Sequence, residues 1–317
     1  MRNIAIVGGT GFVGRHIVNR LSNSGQWTIK LFTRRREKHR DVLVLPNVQL
    51  ITDSIHDQDK LNQHFEHCDV VINLVGILNE KGRDGEGFRQ AHVNLTQKVV
   101  NACQANGVKR LLHMSALNAD AKEGKSHYLR TKGEAEDLAH SAQNISVTSF
   151  RPSVIFGRGD TFLNTFATMM QVPSYLFMLP SGHAKFAPIW INDVVDAMLA
   201  TIDNPASYGQ RYNLCGPKVY TLQEIVQYVA RVLGKKRLVM PLSNKLSSIT
   251  ASIMEFVPTK PYSKDNYLSA QVDSICSENH LAELGVTAHT MESIVPRYFN
   301  QPTYRTRYSK IRCQAGR

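Results

Sequence analysis

The feature that most constrains this chain is Val7-Gly8-Gly9-Thr10-Gly11-Phe12-Val13-Gly14, which joins an apolar strand to a helix at the start of the sequence. Ile4-Ala5-Ile6-Val7 reads as a buried strand, and Phe12 to Asn23 carries helical periodicity. Gly8, Gly11 and Gly14 stand three residues apart. Glycine permits the tight turn and lets backbone approach an anionic group closely, and Gly14 lets the helix pack tightly. The helix N-terminus adds free N–H groups and the positive end of its dipole. This context predicts a dinucleotide loop, with Gly8, Thr10, Gly11, Phe12, Val13 and Gly14 against the pyrophosphate. A Walker loop is excluded in practice, because no Lys-Ser/Thr pair follows the last glycine.

The same alternation continues. Strands are expected at Thr28 to Thr33, Val48 to Thr52, Asp69 to Leu74, Arg110 to Ser115 and Ser146 to Arg151. Helices are expected near Asp57 to Glu66, Phe88 to Asn106 and Ser126 to Ser141. Strand–helix alternation of this kind predicts an α/β fold: a Rossmann-type, doubly wound parallel sheet with its ligand at the carboxyl ends of the strands. The rhythm changes after Pro152. The expected division is a dinucleotide-binding domain over 1–155, to which 186–206 returns through a helix at Ile191 to Asp203. A smaller C-terminal α+β domain is expected over 156–185 and 207–300, and a basic tail over 301–317. Leu242 to Phe256 reads as an amphipathic helix between Pro241 and Pro258. Asp193 is expected to cap the helix at Ile191, rather than to act as a catalytic acid.

The end of the second strand selects among dinucleotides. An Asp or Glu there would bind a ribose 2′-hydroxyl. This chain has Thr33-Arg34-Arg35-Arg36 instead. Guanidinium groups can clamp a 2′-phosphate that a carboxylate would repel, so NADP(H) is expected over NAD(H). Asp53 and Ser54, after the third strand, are candidates for the adenine edge. Leu74, Val75 and Gly76 close the fourth strand beside the adenosine, and Pro152 and Val154 follow the sixth.

Tyr128 and Lys132 form YxxxK, and on a helix positions i and i+4 share a face. A lysine there can lower the tyrosine's pKa and bond the nicotinamide ribose. The tyrosine can then exchange a proton with a substrate oxygen while hydride moves. Ser115, at the end of the fifth strand, could hold that oxygen. Ser115, Tyr128 and Lys132 are the expected catalytic set. His113 lies two residues from Ser115 and shares its strand face. No metal ligation is expected, since no second ligand stands at suitable spacing.

Charge and cysteines narrow the partners. The net charge of +12 concentrates in Arg34 to Arg40, with five basic groups against Glu37, and in Arg305 to Arg317, with five and no acid. Two local clusters point to local anionic partners rather than to nucleic acid. The five cysteines are scattered without a CxxC pair, so ordinary thiols and a cytoplasmic setting are expected. No secretory n-region or h-region precedes the first strand, and no apolar run reaches the length of a spanning helix.

Several segments together resemble the atypical short-chain dehydrogenases. They are GGTGFVGRHIVNRL, DVVINLVG, HMSALNAD, HYLRTKGEAE, RPSVIFGRGDTFLNTFA and PTYR, with PIWINDVVDAM and YNLCGPKVYTLQEI following the wider epimerase-like pattern. Within that group the chain is similar to the nucleotide-binding accessory subunits of respiratory complex I and their bacterial relatives. The resemblance implies bound NADPH, a respiratory-complex partner or quinone-linked role, and a location at the inner membrane face. It differs in stopping soon after Tyr304-Arg305. The retained Ser115, Tyr128 and Lys132 imply an alternative, an active oxidoreductase or epimerase on a hydroxyl, keto or quinone-like substrate. A redox sensor is a third reading. A diphosphate-sugar substrate is disfavoured, because Arg151 leads into GDTFLNTFATMM rather than polar and basic anchors. The basic tail and the 242–256 helix leave contact with an anionic membrane open.

Overall fold

The computed structural model describes residues 1–257 and 262–299, and Arg312. The basic tail expected over 301–317 otherwise lies outside the described residues. The chain runs β1 (Arg2–Val7), α1 (Phe12–Ser24), β2 (Trp27–Phe32), α2 (Arg40–Leu43), β3 (Val48–Ile51), α3 (Gln58–Phe65) and β4 (Val70–Asn73). It continues through α4 (Glu86–Arg89), α5 (Leu95–Ala105), β5 (Arg110–Met114), α6 (His127–His140) and β6 (Ser146–Pro152). Next come β7 (Ile155–Phe156), α7 (Phe162–Met169), β8 (Leu176–Leu179), β9 (Lys185–Phe186), β10 (Ile189–Trp190), α8 (Ile191–Ala200) and β11 (Arg211–Leu214). Last are β12 (Tyr220–Thr221), α9 (Leu222–Val232), β13 (Leu238–Pro241), α10 (Asn244–Met254), α11 (Lys264–Ser269) and α12 (Met291–Phe299).

Seven strands form one sheet in the order β11-β6-β5-β4-β1-β2-β3, all pairs parallel. Chain order reverses between β1 and β4, the crevice where open α/β sheets bind ligands. The strands are buried on both faces because each sheet face carries helices. Ile4, Ile6, Ile29 and Leu31 pack with α1 and α8, while Ala5, Val7, Val71 and Leu111 pack with α3 and α5. That double burial explains the continuous apolar runs in β1 and β4.

The return to the sheet is longer than the expected 186–206. Arg211–Leu214 pairs in register with Ser149–Pro152 and forms the outer strand. Arg110 secures this edge: its buried guanidinium donates to the carbonyls of Thr201, Ile202 and Ser146 and to the hydroxyls of Thr148 and Ser207. Such a set of acceptors replaces the water a buried cation would lose.

The cysteine expectation is corrected. Cys215, just after β11, is disulfide-bonded to Cys276, while Cys68 and Cys103 are free and buried. The bond pins the segment after α11 to the sheet edge. Asp193 does not cap α8, whose N-cap is Trp190. It is buried in the first turn and accepts from His289 N (2.8 Å) and Nδ1 (2.8 Å), tethering the approach to α12. Among the described residues, no helix is long and apolar enough to cross a membrane, and no cluster of His, Cys, Asp and Glu could hold a metal.

Candidate dinucleotide and catalytic site

The glycine loop sits at the carboxyl end of β1. Gly8 has φ +83°, and a Cβ there would lie 3.1–3.2 Å from the backbone of Leu74 and the backbone and side chain of Val75. The loop after β4 therefore packs directly on the loop after β1. A Cβ on Gly14 would lie 2.5 Å from Gly9 Cα and O, so the first turn of α1 can press on the loop only with glycine there. Gly11 N–H closes the turn on Gly8 O at 3.0 Å. Gly11 itself is the N-cap of α1, with no side-chain cap and no acid in the first turn. Thr10, Phe12 and Val13 are half-buried around it.

Thr33 is buried at the end of β2, and its Oγ1 accepts from Arg35 N at 3.2 Å. Arg34 and Arg35 are exposed, and among the described residues no carboxylate pairs with either. Arg15, which sequence reasoning passed over, connects this loop to the glycine loop. Its Nε donates to Thr10 O (3.1 Å), its Nη2 contacts His39 Nδ1 (3.1 Å), and its Nη1 pairs with Asp41 at 3.3 Å. Asp53 is engaged elsewhere, with Oδ2 2.7 Å from His64 Nε2. That bond holds its pKa below the ordinary carboxylate value. Ser54 is exposed and accepts from His56 N at 3.2 Å.

The second half of the site is built on α6. Ser126 caps the helix by accepting from Leu129 N at 3.1 Å. Asp265, from α11, accepts from His127 N (2.7 Å) and Tyr128 N (3.2 Å), two N–H groups the helix leaves unpaired. Ser269 Oγ donates to Ser126 Oγ at 2.8 Å. At the other end, buried Glu136 takes ion pairs from Arg151 on β6 and Arg211 on β11, both at 2.9 Å. Tyr128, Lys132 and Glu136 are spaced four apart, so these anchors fix the face that carries all three.

Lys132 is buried, and its Nζ donates to Met114 O at 2.6 Å. Burial pushes its pKa down to about 8, partly offset by Glu136. Tyr128 is half-buried, and burial together with Asp265 pushes its phenol up to about 12. This differs from the expected lysine-lowered tyrosine: the ammonium is directed at a carbonyl, and desolvation dominates both groups. Ser115 is buried one residue beyond Met114, and its Oγ has no hydrogen-bond partner among the described residues. His113 is also buried. Its Nδ1 lies 3.4 Å from Asn73 Nδ2, its Nε2 is unpaired among the described residues, and burial holds it well below its ordinary pKa.

A Cβ on Gly76 would lie 3.4 Å from Lys132 Nζ and 3.8 Å from His92 Nε2. The end of β4 thus meets the YxxxK face. His92 was not singled out from the sequence. The long helix expected at Phe88 to Asn106 is α4 and α5 joined by a wider π turn over Gln90–Asn94, a device frequent at functional sites. That turn brings the His92 ring within 5.6 Å of the Tyr128 ring, edge to face. Nε2 accepts from Ile77 N (3.1 Å), so the neutral ring donates from Nδ1 to Thr131 Oγ1 at 2.8 Å. Burial, with Lys132 nearby, pushes its pKa down to about 2. Pro152 ends β6 and Val154 follows it, with their carbonyls taken by Leu117 N and Ile189 N. The structure places Pro152 buried and Val154 half-buried.

Residues 4–215 match the NAD dependent epimerase/dehydratase family. The chain belongs to that family. Subunit 9 of the mitochondrial NADH dehydrogenase [ubiquinone] 1 alpha subcomplex of Mus musculus is 28% identical over 302 residues, covering 90% of this chain and 77% of that protein. Ceramide reductase of Caulobacter vibrioides is 29% identical over 239 residues, covering 74% of this chain and 71% of its own. Among solved structures, MoeE5 in complex with UDP-glucose and NAD superposes with a TM-score of 0.72 at 18% identity, covering 97% of this chain and 99% of that one. That likeness establishes the fold. As an epimerase/dehydratase-family chain, the protein is a dinucleotide-binding one, and its residues fit the group. At Gly8 and Gly14 the backbone leaves no room for a side chain, and the Ser115 hydroxyl has no protein partner among the described residues.

Proposed function

We propose that this chain binds NADP(H) and serves as a dinucleotide-holding protein of the short-chain dehydrogenase type, linked to respiratory and quinone metabolism. The observation that carries the cofactor choice is the end of β2: a buried Thr33 where an acid would hold a 2′-hydroxyl, followed by exposed Arg34 and Arg35. The respiratory link is supported by a relative whose name places it in an NADH dehydrogenase, aligned over 90% of this chain. Replacing Arg34 with Asp and Arg35 with Ala should weaken NADPH binding by about a hundredfold or more, since charge-assisted bonds contribute about 1.5–3 kcal/mol each. NADH binding should change little. Equal loss of both nucleotides would remove the 2′-phosphate argument.

A second reading, an active reductase, is favoured by the state of Tyr128 and Ser115. When bound, the nicotinamide supplies hydride chemistry at its C4. A phenol pushed up to about 12 stays protonated at neutral pH and can deliver its Oη proton to a substrate oxygen as that oxygen gains charge. The buried Ser115 hydroxyl is free to hold that oxygen. Lys132, one turn along α6 from Tyr128 and bonded to the carbonyl that precedes Ser115, supplies positive charge, and the Ile77–His92–Thr131 chain orients the His92 ring against Tyr128. A relative named ceramide reductase supports reduction of a lipid-like substrate. The test follows NADPH absorbance with keto compounds and quinones in the wild type and in Tyr128→Phe. Oxidation abolished by the substitution, with NADPH affinity retained, supports turnover; tightly held NADPH that nothing oxidises supports the holding role.

A further inference from the structure

Helix α10 is built inside out. It buries its small residues, Ser247 and Ala251, and exposes its large ones. Leu246, Ile249 and Ile253 recur at helical spacing on the outer face, with Ile253 65% exposed, and Phe256 just beyond the helix is 72% exposed. The inner contact is polar and close: Ser181 N donates to Ser247 Oγ at 3.0 Å. A helix that only completed the core would face the other way.

The strand that leads into α10 repeats the pattern. β13 pairs in parallel with β8, with Leu176 opposite Leu238 and Met178 opposite Met240. These four side chains share one face of the ribbon, and all are exposed, Met178 at 58%. The alternate residues, Leu179 and Val239, are buried in the core beneath. Tyr175, 70% exposed, ends the ribbon face. Only Leu242 and Ser243 separate the ribbon from the helix, so the exposed apolar surface continues along the chain from Leu238 to Val257. An apolar surface this continuous on a folded chain marks an interaction site.

Charge identifies the occupant. No Asp or Glu occurs between Asp160 and Asp193, or between Glu224 and Glu255, the two segments that build this surface. Within the second, Arg231, Lys235, Lys236, Arg237 and Lys245 supply only positive charge. Arg83 adds another, its guanidinium 3.9 Å from the centre of the Phe256 ring. Long basic side chains beside projecting Leu, Ile and Met match a bilayer interface, where stems lie along acyl chains and charges reach phosphates. We propose that the β8–β13 ribbon and the outer face of α10 dock this chain on an anionic phospholipid bilayer. Glu255 is the single acid in the sequence from 238 to 257, against Lys245 and the basic run 235–237, so two copies of this face would repel, which disfavours a second copy as the occupant. α11 connects the surface to the candidate site, since Ser263 Oγ donates to Asn79 Oδ1 and Asn266 Nδ2 to Leu78 O, in the loop after β4. The proposal stands independently of which nucleotide is bound or whether turnover occurs.

Flotation of the purified full chain with lipid vesicles tests it. Binding is expected to vesicles of phosphatidylcholine mixed with phosphatidylglycerol, not to phosphatidylcholine alone, and to weaken with salt. Combining Met178→Ser, Met240→Ser, Ile249→Ser and Ile253→Ser should lower partitioning by about tenfold or more. These positions are exposed, so circular dichroism and melting should be unchanged. Lys235→Gln with Lys236→Gln should weaken binding to the anionic vesicles. Absence of binding by the wild type, or undiminished binding by the four-serine variant, would overturn the proposal. A concentration-dependent dimer abolished by the same four substitutions would also overturn it, because the face would then be covered by a second copy.

Discussion

Lys132 Nζ donates to the carbonyl oxygen of Met114 at 2.6 Å, one residue before the unpaired hydroxyl of Ser115. The contact joins α6 to the end of β5 and holds a cation inside the protein at the carboxyl end of the sheet. It also makes the site a determinant of stability.

The Lys132 pKa falls from 10.5 to about 8 on folding, so between these values the unfolded chain binds the proton that the folded chain has released. Stability contributed by this group therefore rises with pH through that window. Between pH 8 and pH 10 the gain is about 2 kcal/mol, using about 1.4 kcal/mol per pKa unit. Lys132→Met should remove that gain, leaving other groups' contributions in place. Urea unfolding of both proteins at pH 8 and pH 10 measures the difference. Parallel pH dependence in the two proteins would show that Lys132 is not desolvated as the structure has it.

His92 gives the complementary acid-side prediction. Its folded pKa of about 2 lies below the ordinary 6.5, so the unfolded chain takes up a proton that the folded one refuses. Its contribution is intact above pH 6.5 and is lost as pH falls. His92→Leu should lower stability at pH 7 by about 1–3 kcal/mol, because Ile77 N–H loses its acceptor in a buried place. The same variant should lose about 1.5 kcal/mol less than wild type between pH 6.5 and pH 5. Equal acid sensitivity would mean that solvent reaches the ring.

How much of this was legible in the sequence depends on how local each cause is. The glycine loop and the strands around it could be read because Gly8, Gly11 and Gly14 act within one turn and the apolar runs of β1 and β4 are short and continuous. Tyr128 and Lys132 could be placed on one face because the helix repeat alone sets that. The direction of their pKa shifts could not, because it comes from burial and from Asp265, which lies 137 positions away. His92 was hidden by the π turn, which breaks the helical repeat on which face assignment depends. The position of α10 was read correctly, but its reversed burial follows from Ser181 meeting Ser247 across the fold. Arg211–Leu214 is too short to read as a strand until its pairing with β6 is seen.

The disulfide is testable directly. Cys215 and Cys276 are 61 positions apart, and closing a loop of that size in the unfolded chain stabilises the folded one by about 4 kcal/mol on the chain-entropy account. Reductant, or Cys215→Ser with Cys276→Ser, should lower the urea midpoint, and reductant should have no further effect on the double variant. Thiol labelling after unfolding without reductant should reach Cys68 and Cys103 but leave Cys215 and Cys276 unlabelled. An unchanged midpoint, with Cys215 and Cys276 labelled after unfolding without reductant, would show that the pair is not bonded in the purified protein.

Gly14→Ala separates the two halves of the dinucleotide argument. The new Cβ would lie 2.5 Å from Gly9 Cα and O and 2.6 Å from Gly9 C, all backbone atoms that cannot swing away as a side chain could. Either α1 retreats from the loop or the loop shifts toward the space the pyrophosphate needs. Overpacking of this kind costs about 1–3 kcal/mol of stability. The same displacement should weaken NADPH and NADH about equally, by about tenfold or more, since the pyrophosphate is common to both. That pattern differs from the Arg34 and Arg35 substitutions, which should act on NADPH alone. Fluorescence titration of both nucleotides with each variant gives the comparison. A Gly14→Ala protein with wild-type affinity for both would mean that the pyrophosphate does not rest on this turn.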